Sequence, residues 1–133
     1  MRHLGIDYGT KKIGLALSDE AGTMGFPKGI VPNDSRAIDE VQKLIRTEQV
    51  ECIVMGESIA PSGQENPVAK GARVFAEALT EATGVTVVFE PEMYTTQEAK
   101  RDFEGVHVSR SGNVDASAAA LILTSYLSRD YGK

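Results

Sequence analysis

Runs of apolar residues separated by turn signals fill the first quarter of the chain. Residues 2–8 and 13–18 have the composition of strands, and only a short glycine-containing turn separates them. Because so short a connection joins only antiparallel strands, the two segments predict a β-hairpin. Residues 26–31 predict a third strand. Pro27 indicates that this strand lies at an edge of the sheet, since proline donates no ladder hydrogen bond.

The remainder of the chain alternates between helical and strand patterns. Residues 51–56 and 85–89 are nearly continuous apolar runs, which are typical of strands buried on both faces of a parallel sheet. Helical spacing of apolar residues, together with capping residues, predicts helices at about residues 35–48, 68–83, 95–103 and 114–127. This order of elements predicts an α/β fold with a five-stranded mixed sheet. Its first three strands are antiparallel and its faces carry helices.

The length of 133 residues fits a single domain with one core, spanning residues 1–133. No apolar run is long enough to cross a bilayer and no secretory leader precedes the first strand, so we expect no association with membranes. The single cysteine, Cys52, has no partner within the chain for a disulfide bond. A single cysteine without a disulfide partner favours a reducing, cytoplasmic location.

The net charge of −5 counts against a broad electrostatic surface for nucleic acid, because affinity for phosphates comes mainly from lysine and arginine. It does not exclude an enzyme that reaches nucleic acid through metal ions, since the carboxylates that hold such ions add to the negative charge. Charge alone therefore leaves the class of partner open.

Asp7 ends the first predicted strand, and Gly5 and Gly9 bracket it. Glycine at these places lets another backbone or a ligand come close. A buried carboxylate has to be paired or bind a metal, so Asp7 is a candidate catalytic or metal-binding residue. The simpler alternative is an aspartate that caps the tight turn through Gly9 and Thr10.

Four further acids are predicted near the same end of the sheet, where catalytic groups of open α/β folds gather. Glu57 follows the fourth strand, Glu90 and Glu92 follow the fifth, and Asp115 lies in the first turn of the last helix. The small residues after Asp115 allow that helix to lie close on the sheet. Oxygen ligands of this kind suit Mg²⁺ or Mn²⁺. The alternatives are solvated loop residues and, for Asp115, a favourable interaction with the helix dipole.

The segment from Gly5 to Asp19 resembles the opening of the YqgF-type pre-16S ribosomal RNA nucleases, also called Holliday junction resolvase-like proteins. The resemblance continues in residues 53–56, 95–99 and 114–127 and covers essentially the whole chain. The opening and closing motifs are specific in combination. The resemblance implies a ribonuclease H-like fold, which matches the order of elements given above.

The resemblance also implies Asp7, Glu92 and Asp115 as the catalytic, metal-binding acids. It implies a nuclease that uses Mg²⁺ or Mn²⁺ and water to cleave a phosphodiester, in the maturation of the 5′ end of pre-16S ribosomal RNA in the cytoplasm. The partners would be structured RNA and the ribosome precursor. Branched DNA is the alternative substrate. A resolvase requires a homodimer, because two strands are cut symmetrically, whereas an RNA nuclease can act as a monomer.

The chain departs from the family at two places. The family usually has Asp-Glu-Arg where this chain has Pro91, Glu92 and Met93, so one acid and a bidentate phosphate contact are missing. Glu90 is a candidate replacement for that acid, one position earlier. The family usually has Gly-Leu-Pro after the fourth strand, and here Glu57 stands in the place of the leucine. Glu57 and Glu90 are therefore additional candidate metal ligands.

Several cations are candidates for binding the phosphates of a substrate. Lys11 and Lys12 lie in the first turn and Arg110 lies in the loop before the last helix. With Lys100 and Arg101, they are expected to line a track around the acids. The alternative is that they are ordinary surface charges.

Two other functions compete with the nuclease. The segment Asp7 to Thr10 followed by a hairpin also resembles the first phosphate-binding motif of sugar kinases and actin-like ATPases. Those proteins hold nucleotide between two such domains, and this chain has no second Asp-x-Gly-Thr segment. The other is a non-catalytic RNA-binding or ribosome-associated protein with a degenerate site, which Pro91, Met93 and the negative charge favour.

Overall fold

In the computed structural model, the described residues are 1–57, 67–91 and 116–131. They form a sheet with helices on both faces, as the hydrophobic pattern predicts. The predicted helix at residues 95–103 lies outside the described residues. The elements are β1 Arg2–Tyr8, β2 Lys12–Ser18, β3 Gly25–Pro32, α1 Ala37–Thr47, β4 Val50–Glu57, α2 Pro67–Thr83, β5 Thr86–Pro91 and α3 Ala116–Tyr131.

The strand order is β3-β2-β1-β4-β5. The pairs β1–β2 and β2–β3 are antiparallel, whereas β1–β4 and β4–β5 are parallel, which confirms the predicted mixed sheet. Pro27 lies in the edge strand β3, as predicted. The central position of β1 buries its residues 3–7 and puts its carboxyl end between two neighbouring strands.

Alternate residues of each strand face two separate cores. Leu4 and Ile6 of β1 pack with α1 and α2 on one face, and Val54 of β4 packs with α3 on the other. Each fully buried Leu or Ile side chain contributes about 1.5–3 kcal/mol of hydrophobic stabilisation. Among the described residues, no helix is both long and apolar enough to cross a membrane.

Helix α3 lies directly on β1. A Cβ atom added at Gly5 would lie 2.9 Å from the carbonyl oxygen of Ala119 and 2.9 Å from Leu123 Cβ, so only glycine fits here without a shift. Farther back along β1, the His3 ring lies 6.0 Å from the Tyr126 ring. The helix therefore runs antiparallel to β1 and begins at the end of the sheet where β1 ends. The small residues of α3 allow this contact, as predicted.

The helix boundaries agree with the sequence pattern at α2 and differ at α1. Helix α2 ends at Thr83, and Gly84 follows with a φ of 78°, a left-handed conformation that glycine adopts without strain. Helix α1 begins at Ala37, two residues later than predicted. The carboxylate of Asp34 accepts a hydrogen bond of 2.9 Å from the Arg36 backbone N–H, which forms a turn in place of the first predicted residues of the helix.

Candidate active site

Asp7 lies one residue before the end of β1 and is 7% exposed. Its partner on β2 is Gly14. On the other side, Ile6 pairs with Met55, and the next position places Asp7 beside Gly56 of β4. Side chains of paired positions share a face of the sheet, and neither glycine has one. The carboxylate of Asp7 is therefore flanked on both sides by backbone without a Cβ atom.

Glu90 lies at the same level of the sheet as Asp7 and Gly56, because it pairs with Gly56 in the parallel ladder between β4 and β5. Its side chain is 2% exposed and accepts a hydrogen bond of 2.8 Å at Oε2 from Ser125 Oγ of α3. Asp7 and Glu90 thus share the face that α3 covers. One strand separates them, which puts their backbones about 9–10 Å apart.

The other acids predicted from the sequence are not brought beside Asp7 in the described part of the chain. Glu57 is exposed, and strand alternation directs it to the face opposite that of Gly56 and Asp7. Glu92 and Asp115 lie outside the described residues. Within residues 1–57, 67–91 and 116–131, no three His, Cys, Asp or Glu residues come close enough to hold a metal ion together.

The turn that follows Asp7 is held by Asn33, which directly follows β3. Its side-chain Nδ2 donates to the carbonyl oxygen of Gly9 at 2.7 Å, and its backbone N–H donates to that of Lys11 at 2.9 Å. The sequence signal for this role is an asparagine directly after an edge strand. Its side-chain amide readily forms hydrogen bonds with backbone groups that have no partner in the sheet.

The predicted substrate-binding lysines lie on this turn. Lys11 and Lys12 are both exposed. Lys12 begins β2 two residues before Gly14, so it shares the face of Asp7. Arg110, Lys100 and Arg101 lie outside the described residues. The structure therefore brings one predicted cation, Lys12, to the face and end of the sheet that carry Asp7.

Tyr8 holds the end of β1 from the opposite face. Its ring centroid lies 5.5 Å from that of Phe75 in α2. A Cβ atom added at Gly71 would come within 3.0 Å of the Tyr8 hydroxyl oxygen, so α2 approaches closely because residue 71 is glycine. The backbone that carries Asp7 is thereby packed from one side by α2 and from the other by α3.

Known sequences match this chain over nearly its whole length. A family model described as RuvX, Holliday junction resolvase, matches residues 1–129. A protein of Anaeromyxobacter sp. (strain Fw109-5), named "Putative pre-16S rRNA nuclease", is 37% identical over 132 residues, with 96% of each chain covered. A protein of the same name from Syntrophus aciditrophicus (strain SB) is 39% identical over 132 residues, which cover 96% of this chain and 88% of the relative.

Solved structures of resolvases have a similar fold. RuvC of T. thermophilus in complex with a Holliday junction substrate superposes with a TM-score of 0.66 at 17% identity, covering 100% of this chain and 97% of that chain. The fowlpox virus Holliday junction resolvase gives a TM-score of 0.54 at 13% identity, covering 97% and 99%. At such identities the likeness concerns the fold alone, and it confirms the expected ribonuclease H-like architecture.

Proposed function

This chain belongs to the RuvX family, described as Holliday junction resolvase, and on that premise we propose that it is a nuclease that hydrolyses phosphodiester bonds. The observation that carries the proposal is the buried carboxylate of Asp7 between Gly14 and Gly56. Burying a carboxylate costs free energy unless it is paired or binds a cation. Neither glycine contributes a side chain beside that carboxylate.

We further propose that Asp7, Glu92 and Asp115 hold the metal. Glu92 directly follows the last residue of β5, and Asp115 directly precedes the first residue of α3, which begins at the end of the sheet where β1 ends. A set of carboxylate oxygens fits Mg²⁺ or Mn²⁺. When bound, such an ion lowers the pKa of the attacking water and neutralises charge on the phosphate. Glu57 is a weaker candidate, because it alternates to the other face.

The chain's own cations would bind the substrate's phosphates. Lys12 shares the face of Asp7, and Lys11 is exposed on the same turn. Arg110 is proposed to contact the same track from the loop before α3. Each phosphate contact made by a lysine or arginine releases counterions, so binding should weaken as the salt concentration rises.

The proposed substrate is structured RNA, because the relatives carry the name "Putative pre-16S rRNA nuclease". The cleavage site proposed from the family resemblance is the 5′ end of the pre-16S ribosomal RNA. For this reaction we propose a monomer in the cytoplasm with the ribosome precursor as its partner. A second candidate substrate is branched DNA, cut by a homodimer. It is favoured by the fold shared with a resolvase bound to a Holliday junction.

Cleavage assays with both substrates test this proposal. The purified chain is incubated with an end-labelled RNA that contains the pre-16S 5′ leader and, separately, with a four-way DNA junction, each with Mn²⁺, Mg²⁺ or EDTA. We expect cleavage of the RNA with either ion and none with EDTA. Symmetrical cutting of the junction alone would favour the resolvase. Cleavage in EDTA at the same rate would contradict metal dependence, and binding without cleavage of either substrate would favour a non-catalytic protein.

A further inference from the structure

Glu90 is a charged side chain enclosed at the end of β5, where it connects that strand to α3. Only 2% of it is exposed, and Ser125 Oγ donates to its Oε2 at 2.8 Å. Enclosing a carboxylate costs free energy that an apolar side chain of similar volume would avoid. Asp7 and Glu90 are the buried carboxylates among the described residues, and the carboxylate of Glu90 is bound to α3.

The two elements joined by this hydrogen bond flank residues 92–115. Strand β5 ends at Pro91, immediately before Glu92, and α3 begins at Ala116, immediately after Asp115. The hydrogen bond between Glu90 and Ser125 directly constrains the distance between β5 and α3. The bond therefore connects the elements that carry two of the three acids of the proposed function.

The position of Ser125 argues that the Oε2 atom of Glu90 does not itself bind the metal. Ser125 lies nine residues after Ala116, about 13 Å along the helix axis from the start of α3. A carboxylate oxygen has to lie about 2.0–2.1 Å from Mg²⁺ to coordinate it. The oxygen that accepts from Ser125 is thus directed along α3, away from the helix end that Asp115 precedes.

We propose that Glu90 is a positioning residue, which acts through Ser125 to set the separation of β5 and α3 and hence of the carboxylates of Glu92 and Asp115. This inference rests on the proposed function. Residues that orient metal ligands contribute to metal affinity although they do not touch the ion. Glu90 acts in this way from β5, and Ser125 acts in this way from α3.

Two substitutions separate positioning from coordination. Ser125→Ala removes the hydroxyl donor and leaves every proposed ligand in place. Glu90→Gln removes the charge but keeps a carbonyl oxygen that accepts from Ser125 Oγ. If Glu90 positions, Ser125→Ala weakens Mn²⁺ affinity on the order of tenfold, whereas Glu90→Gln changes it by only about twofold. Ser125→Thr, which keeps a hydroxyl, restores most of the affinity. The measurement is calorimetric titration of each full-length variant with Mn²⁺ alone.

Thr124 provides a matched control on the neighbouring residue. Its Oγ1 accepts from the backbone N–H of Gly25 at 3.1 Å, which ties α3 to β3, on the side of the sheet away from β5. Thr124→Val removes this acceptor with little change of shape. We expect it to lower the melting temperature about as much as Ser125→Ala does, with Mn²⁺ affinity within about twofold of the parent.

The outcomes distinguish failure of this inference from failure of the proposed function. Complete loss of Mn²⁺ binding in Glu90→Gln would make Glu90 a ligand and overturn the positioning role. Equal Mn²⁺ affinities in Ser125→Ala and Thr124→Val would also overturn it. If the unsubstituted chain binds no Mn²⁺, the proposed function itself fails and the inference falls with it.

Discussion

The side-chain amide of Asn33 donates to the carbonyl oxygen of Gly9 over 2.7 Å, and so links the end of β3 to the turn that follows Asp7. The backbone of the same asparagine bonds to Lys11. One residue thereby holds both sides of the turn that carries the two exposed lysines. The backbone of the turn is thus bound at two carbonyl groups, while its lysine side chains lie in solvent.

Replacing Asn33 should weaken substrate binding more than it slows the chemical step. Asn33→Ala removes the amide donor, which costs about 1 kcal/mol of stability and frees the turn. We expect a KM several times higher with kcat nearly unchanged. Asn33→Asp puts a carboxylate against the Gly9 carbonyl oxygen and should have the larger effect. Fluorescence anisotropy with labelled RNA and cleavage kinetics provide the measurements; a lower kcat at constant KM would contradict this role.

Replacing Asp7 should remove activity and keep the fold. Asp7→Asn preserves the shape of the side chain but removes the charge. Loss of a metal ligand forfeits several kcal/mol of transition-state stabilisation, so we expect kcat to fall about a thousandfold or more. RNA affinity should persist, since the lysines are unchanged. An Asp7→Asn variant that cleaves RNA at the parent's rate would show that the assignment of Asp7 is wrong.

A methyl group at Gly5 should push α3 away from the sheet. The added Cβ atom would meet the Ala119 carbonyl oxygen and Leu123 Cβ at 2.9 Å, and overpacking of this kind costs about 1–3 kcal/mol. Gly29→Ala is the matched control, because nothing lies within 4 Å of a Cβ atom there. Urea unfolding should resolve the two variants. Equal midpoints would mean that the contact between β1 and α3 relaxes at little cost. Gly5→Ala should also weaken Mn²⁺ binding, since the proposed ligand Asp115 directly precedes α3.

Asp19 should make a small, pH-dependent contribution to stability at the opposite end of the sheet. The hydroxyl and backbone N–H of Thr23 donate to its carboxylate and hold its pKa below the usual 3.8. A carboxyl whose pKa is lower in the folded state stabilises the fold above the unfolded pKa. That contribution is lost as the pH falls from about 4 through the folded pKa. Because Asp19 is partly exposed to solvent, which screens its charge, the effect on the melting temperature should be slight.

A comparison of melting temperatures between pH 2 and pH 6 tests the role of Asp19. In Thr23→Val the hydroxyl donor is absent, so the loss of stability on acidification below pH 4 should be smaller than in the parent. Asp19→Asn, which cannot titrate, should show the smallest loss attributable to this turn. If both variants follow the parent's profile, the hydrogen bonds of Thr23 do not stabilise the ionised carboxylate.

The sequence was sufficient for the order of the elements because its local signals are strong. The short turn before Lys12 requires a hairpin, and Pro27 indicates an edge strand. The apolar spacing of α2 indicates a helix, and Gly84 indicates where that helix ends. Each of these features depends on residues that are close together in the sequence. The core positions Ala72, Phe75, Ala76 and Leu79 were predictable for the same reason, and all are buried.

The details of the site depended on pairings between distant segments, which local patterns do not encode. No sequence signal reveals that Gly14 and Gly56 flank Asp7, since this follows from the register of three strands. The fifth strand was predicted to end at Phe89. Pairing with β4 extends it by two residues and buries Glu90, which the pattern left open as a loop residue. The assignments of Glu92 and Asp115 come from the family resemblance and stay predictions.

The glycine contact between β1 and α3 affects how the molecule responds to heat. Between most elements, side chains interpose and change rotamers on warming, so the gap between their backbones can widen gradually. At Gly5 the strand backbone meets the helix carbonyl of Ala119 with nothing interposed, and that gap can only remain closed or open altogether. Amide hydrogens of β1 should therefore exchange with solvent in one cooperative event, after those of the edge strand β3 have already exchanged.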